Sequence, residues 1–216
     1  HRRRHSFPTR RSSDLVYFSE LPVVASVSRL PQRLADAPTA VTVIDRDMIK
    51  ASGVRDLNDV FRLVPGFQTY PHTTEPARVS YHGLNDEDYS PRVQVLIDGR
   101  SMYSPLFGNG VNWATIPVAL DDIERIEVVR GTNSVSYGSN AFLGVINIIT
   151  QHPSLARGWM VSGNHGNQKI DDSSLRWGGR AGSSDIRFTY RQQNDNGLRK
   201  LYDNNKWIDP HDSRHN

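Results

Sequence analysis

Apolar and polar positions change rhythm along this chain of 216 residues. TAVTVID, from Thr39 to Asp45, alternates and is β-branched, which predicts a strand. A polar turn then leads to a short helix near Asp47–Ala51, stopped by Ser52-Gly53. In VRDLNDVFRLVPG, Leu57, Val60, Phe61 and Val64 fall at i, i+3, i+4 and i+7. That spacing is one helical face, ended by Pro65-Gly66. The stretch from Phe67 to Pro91 reads as loop with one short strand around Val79–His82. RVQVLIDGRSMY predicts a hairpin turning at Asp98-Gly99. The loop SPLFGNGVNWATIP follows, rich in aromatics, Gly and Asn. IERIEVVRG then reads as a strand, and VINIIT as one buried on both faces. These pieces predict a compact α/β domain, a small mixed sheet with short helices, over roughly residues 20–150.

After Gln151-His152-Pro153 the rhythm becomes strictly two. Trp159, Val161 and Gly163 alternate with Met160, Ser162 and Asn164. Leu175 and Trp177 alternate with Arg176 and Gly178, and Ile186, Phe188 and Tyr190 with Arg187, Thr189 and Arg191. A half-buried soluble sheet gives this pattern, and so does a transmembrane β-barrel. The connection at Ala181–Ser184 is short, and the one at Gln193–Asp209 is long and Asn-rich. Outer-membrane barrels alternate short and long turns in this way. A few antiparallel strands with open edges do not stay in lipid, so the barrel reading requires further strands beyond Asn216.

Composition narrows the chemistry. The chain holds no cysteine, which excludes disulfide scaffolds, thiolate zinc sites and cysteine nucleophiles. No apolar run approaches the roughly 20 residues of a membrane-spanning helix. The first fourteen residues hold five arginines and one acid, so of the net charge of +3 everything from Leu15 onward carries −1. A basic tail can signal nucleic acid. Here FPTRRSSDL reads instead as a translated sequencing adapter, so residues 1–15 are set aside as non-native, and no nucleic-acid partner is expected. Residues 16–38, Pro-punctuated through Glu20–Pro38, read as extended and mobile. The plug-sized domain is bounded at 39–152 and the period-two strands at 153–216.

Catalysis has little support. Gly138 and Gly144 lack dinucleotide-loop spacing, and neither Gly-x-Ser-x-Gly nor His-Glu-x-x-His occurs. No cofactor is expected.

The stretch from Ile126 to Thr150, IEVVRGTNSVSYGSNAFLGVINIIT, resembles the plug-end signature of TonB-dependent outer-membrane receptors. APTAVTVIDRDMIKASGVRDLNDVFRLVPGF and VQVLIDGR resemble the opening of the same plug. Thr132 departs from the family's usual Pro and leaves φ unlocked at that turn. The resemblance implies an α/β plug inside a barrel of about 22 strands, in the outer membrane of a Gram-negative bacterium. It also implies contact with outer-membrane lipid, with the inner-membrane partner TonB, and with a scarce nutrient such as a ferric siderophore, cobalamin or haem.

Leu21, Pro22, Val23, Val24, Ala25, Ser26 and Val27 are the candidate TonB box, an extended segment suited to strand addition; the alternative is a linker into the first plug strand. Ligand contacts are expected from two loops. His72, Asp86, Glu87, Asp88 and Tyr89 lie in the first, and Arg100, Tyr103, Phe107, Asn109, Asn112 and Trp113 in the second. The acids and histidines of the first, His82 and Glu75 among them, show no fixed metal-ligand spacing. The aromatic and amide set of the second suits a sugar-like or chelate ligand, or packs under its own loop. Glu124, Arg125, Glu127 and Arg130 are expected either on a solvated face or against the polar inner wall of the barrel. A soluble periplasmic α/β interaction module is the alternative of another class, and a nucleotide-binding enzyme a third.

Overall fold

The computed structural model describes residues 23–24, 26, 32–70, 78–84, 92–107, 110–196, 201–203, 206–208 and 214–215. Strands β1 (Val23–Val24) and β2 (Gln32–Arg33) form a small antiparallel pair ahead of β3 (Ala40–Asp45). Helix α1 (Arg46–Ser52) follows directly. Asp45 caps it by accepting from the Met48 amide at 2.8 Å, and Gly53 closes it at φ 65° in the left-handed region that glycine tolerates.

Leu57–Leu63 is a 3₁₀ helix rather than the α-helix expected from its spacing. Asp56 makes no side-chain cap bond to it, and Pro65 stops it after little more than two turns. The apolar positions are nonetheless those expected, with Leu57, Val60, Phe61 and Val64 all buried. Strand β4 (Phe67–Tyr70) pairs with β5 (Arg78–Tyr81). Phe67–Tyr70 lies in a stretch read from the sequence as loop. Four residues between Gly66 and Pro71 carry too little pattern to declare a strand, and its partner lies across a loop.

The central sheet also contains β6 (Val93–Ile97), β7 (Arg100–Ser101), β8 (Ile123–Arg130) and β9 (Gly144–Thr150), with one helical turn, α2 (Ser134–Tyr137), between the last two. Its spatial order is β3-β8-β9-β6-β7. Only the β6–β9 pair is parallel, so the sheet is mixed. Asp98 and Gly99 join β6 to β7 with φ of 48° and 78°, the two positive values that a two-residue hairpin turn of this hand needs.

Both faces of the sheet are covered. Ile126 and Val128 of β8, Ile146 and Ile148 of β9 and Val95 of β6 point into the larger core, with Ile44, Ile49 and Phe61. Val129, Val145 and Leu96 point the other way, into a smaller core closed by Val24, with Leu34 and Ala37 packed on it. The segment expected to be extended and mobile is therefore, where described, a strap across the second face. Its apolar side chains have a sheet face to cover, which the sequence pattern alone does not reveal.

A Cβ at Gly144 would sit 2.7 Å from the carbonyl oxygen of Val129 on the neighbouring strand. Gly144→Ala is expected to cost about 1–3 kcal/mol through overpacking, read as a lower denaturation midpoint of the full-length protein.

Candidate functional site

Strands β10 (Gly158–Gly166), β11 (Ile170–Ala181) and β12 (Ser184–Asp195) form an antiparallel sheet beside the plug. Its register stacks Trp159, Trp177 and Phe188 in one cross-strand row, and Val161, Leu175 and Tyr190 in the next. This face points away from the plug: Trp159 is 70% exposed, Val161 76% and Phe188 59%. The opposite face, turned to the plug, carries Asp172, Ser174, Arg176, Arg187, Thr189, Arg191, Gln193 and Asp195. The polarity is thus the reverse of a soluble sheet, which hides its apolar face on its neighbour. The stretch expected as a long loop, Gln193–Asp209, is partly strand: β12 runs on to Asp195, and β13 (Leu201–Asp203) pairs with β14 (Lys206–Ile208), while β15 (Arg214–His215) pairs with the end of β12.

Two ion clusters join plug and wall. Arg55, just past α1, donates from Nε and Nη2 to the two carboxylate oxygens of Asp172 at 2.6 and 2.5 Å, and from Nη1 to Asp195. Its carbonyl oxygen accepts from Arg191 Nη2 at 2.5 Å. The bond to Asp172 above all, with Asp195 adding, raises the Arg55 pKa against the opposing effect of burial. The second cluster has the opposite sense. Asp122 of the plug accepts from Thr189 Oγ1 at 2.6 Å and sits 3.4–3.5 Å from the guanidinium nitrogens of Arg187 and Arg176. Arg187 also donates to the carbonyl of Gln151 at 2.6 Å, next to the link into the wall.

Under the strap lies a third polar site. Glu127 is wholly buried. Its Oε2 accepts from the Ser26 amide at 3.0 Å and the Ser26 hydroxyl at 2.6 Å, and its Oε1 from Arg125 Nε at 2.9 Å. Asn147, opposite Glu127 in the register, donates to Ser26 Oγ at 3.0 Å and accepts from the Gly99 amide at 3.3 Å. The hydrogen bonds that a buried Asn147 requires are thereby made.

The residues singled out in the sequence distribute as follows. Of the candidate box, Val23 pairs with Arg33, while Val24 and Ser26 are buried; Leu21, Pro22, Ala25 and Val27 lie outside the described residues. His72, Asp86, Glu87, Asp88, Tyr89 and Asn109 also lie outside them. Arg100 and Tyr103 are exposed, and Phe107 ends a short 3₁₀ turn. Asn112 holds Thr115 through its carbonyl, and Trp113 packs on Phe61 with ring centroids 5.0 Å apart. Trp113 thus supports its loop from below. Glu124 pairs with Arg125. Glu127, enclosed by strap and sheet, cannot lie on a solvated face or on the described wall. Arg130 gives its carbonyl to Thr39 and keeps a buried Nε without a partner among the described residues. Arg55 and Asp122, which do meet the wall, carry no local sequence signal, because their partners lie 54 to 140 residues away.

A sheet covered on both faces, joined to strands that turn their polar side inward, defines a plug with the start of its barrel wall. Residues 33–145 match the family described as TonB-dependent Receptor Plug Domain, and the chain belongs to that family. It is 34% identical over 142 residues to the vitamin B12 transporter BtuB of Vibrio vulnificus, covering 65% of this chain and 22% of the transporter. It is also 34% identical to the iron-regulated outer membrane virulence protein of Vibrio cholerae, over 60% of this chain and 20% of that protein. The ferripyoverdine receptor of Pseudomonas aeruginosa shares the fold at a TM-score of 0.63 and 20% identity, over 81% of this chain and 22% of the receptor. The chain therefore spans about a fifth of the length of these relatives.

Glu127→Ala would leave the buried Ser26 donors without their acceptor, while Arg125 keeps its pair with Glu124. Leaving such a buried donor unsatisfied costs about 1–3 kcal/mol. The expected readout is faster protease cleavage of the segment before β3, with Ser26→Ala showing a smaller change in the same direction.

Proposed function

We propose that this chain is the plug and first wall strands of an outer-membrane receptor that takes up a scarce nutrient using energy delivered through TonB. The observation that carries the reading is the inverted polarity of β10–β12. Apolar rows headed by Trp159, Trp177 and Phe188 face outward, as lipid requires, and charged and hydroxyl side chains face the plug. A soluble interaction module would expose those rows to water, where a patch of this kind is an association liability.

The nutrient is a ferric siderophore or cobalamin, the kinds of cargo that the names of two relatives carry, or haem, which the family resemblance adds. It is met by the loops that hold His72, Asp86–Tyr89 and Arg100–Trp113. TonB engages Leu21–Val27 by strand addition. In the state described, Val23 and Val24 already pair with β2, and Ser26 is bonded to Glu127. Engagement of the whole box therefore requires lifting the strap from Glu127, so the partner competes with the plug for the same segment.

The reading predicts a sidedness that a soluble module lacks. In the full-length protein, Val161→Arg on the outward face is expected to cost about 2–4 kcal/mol where it lies near the bilayer midplane and to reduce assembly into outer membranes. Ser162→Arg, one residue along on the inward face, is expected to be tolerated for assembly. Equal assembly of the two variants would contradict the barrel. Deleting Glu20–Val27 is expected to abolish energy-dependent uptake while surface binding persists, and unimpaired transport would refute the box.

A further inference from the structure

A cavity of about 270 Å³, lined by charged, hydroxyl and apolar side chains together, lies between the plug and the inner face of the wall. Helix α1 with Val54 and Arg55 forms one side, and β10 and β11 form the other through Ser162, Asn164 and Ser174. Of the two ion clusters, the one at Arg55 lines this cavity and the one at Asp122 does not, and they differ in how they are tied to the chain. The Arg55 cluster meets β11 at Asp172, and the Asp122 cluster meets it at Arg176, four residues or about 13 Å further along. Asp122 and Gln151 adjoin the covalent link to β10, so that end of the plug is anchored. Arg55 instead follows β3 and α1, which continue from the strap. Tension applied at the strap reaches Arg55 before it reaches Asp122.

We propose that the passage for the nutrient opens here, between α1 and the first three wall strands, and that the clasp of Arg55 on Asp172 and Asp195 keeps it shut. The proposal rests on the receptor reading and names the route within it. The inner face of these strands is polar, so parting them from α1 wets charges and hydroxyls rather than a dry core, and the cavity already gives water a place to enter. Its surroundings carry both signs: Arg46, Lys50 and Arg191 stand beside Asp121 and the Arg55–Asp172 pair, with Asp195 bonded to Arg55 and Asp56 close enough to act on Arg191.

The test uses the full-length receptor in planar phospholipid bilayers, with current carried by potassium chloride and a cysteine-free background. Arg55→Ala is expected to open about tenfold more often than the native protein, or more, since a buried charge pair is broken on one side. Ser162→Cys in that variant, modified with a sulfonated methanethiosulfonate, is expected to reduce the current, because residue 162 lines the route. Opening at the native frequency, or a current indifferent to modification at 162, would overturn the proposal. Should Arg55→Ala not assemble, the pair Lys50→Cys and Asn164→Cys gives the same decision. A short bis-maleimide cross-link between them, which adds to both thiols without an oxidant, is expected to suppress openings in mild urea, which weakens burial in general, and a cross-linked receptor that opens as readily as the unlinked one would refute the route. Failure of the native protein to insert into the bilayer at all would count against the receptor reading instead.

Discussion

The inner face of β10–β12 cannot be made dry, and this constrains everything packed against it. Asp172, Arg176, Arg187, Arg191 and Asp195 alternate with the outward apolar rows, so a plug that meets this wall must meet it with charge. Arg55 and Asp122 supply that charge from opposite signs. Each is largely buried and hydrogen-bonded, which is the condition under which an ion pair withstands its desolvation. Such an interface gives register without a hydrophobic seam. Ion pairs that rehydrate part more readily in water than apolar faces that stick, which suits the movement proposed for this interface.

The same logic reaches the far side of the plug sheet. VINIIT and IERIEVVRG place apolar residues on both faces, and a sheet so built must be covered twice. The 3₁₀ helix and α1 cover one face. The strap, through Val24, Leu34 and Ala37, covers the other and brings Ser26 onto Glu127. Glu127 alternates in phase with Val129, so its place on the second face followed from period two once that face was known to be buried. A carboxylate there makes the strap's hold partly polar, with hydrogen-bond donors coming from the strap, from Arg125 and, through Ser26, from Asn147. The segment that stabilises the sheet overlaps in sequence with the candidate box, so on the proposed reading a partner that takes the box must displace the strap.

Much of this architecture was legible in the sequence, and the boundary of legibility has a physical cause. Strands such as Ala40–Asp45 and Gly144–Thr150, the Asp98-Gly99 turn and α1 are specified by neighbours a few residues apart, and each formed where its pattern placed it. Leu57–Leu63 kept its buried face but not its helix type, because burial is set by spacing while the choice between 3₁₀ and α depends on caps and on Pro65. The contacts that position the plug were not legible. Arg55 bonds to Asp172 across 117 residues, and nothing in VRDLND distinguishes that arginine from a solvated one. Glu124, Arg125 and Glu127 interrupt an apolar strand, and among the described residues they bond to one another and to the strap.

The reversed signs of the two wall clusters carry a further consequence for assembly. A plug shifted along the wall by the spacing between them would bring Arg55 toward Arg176 and Arg187, or Asp122 toward Asp172. Like charges at reduced dielectric repel, so the misplaced arrangement is penalised as well as unrewarded. Two clusters of the same sign would have tolerated that slip. A polar interface that is loose enough to part can therefore still be selective about where it closes, because the alternation of sign, rather than the strength of either cluster, sets the register between plug and wall.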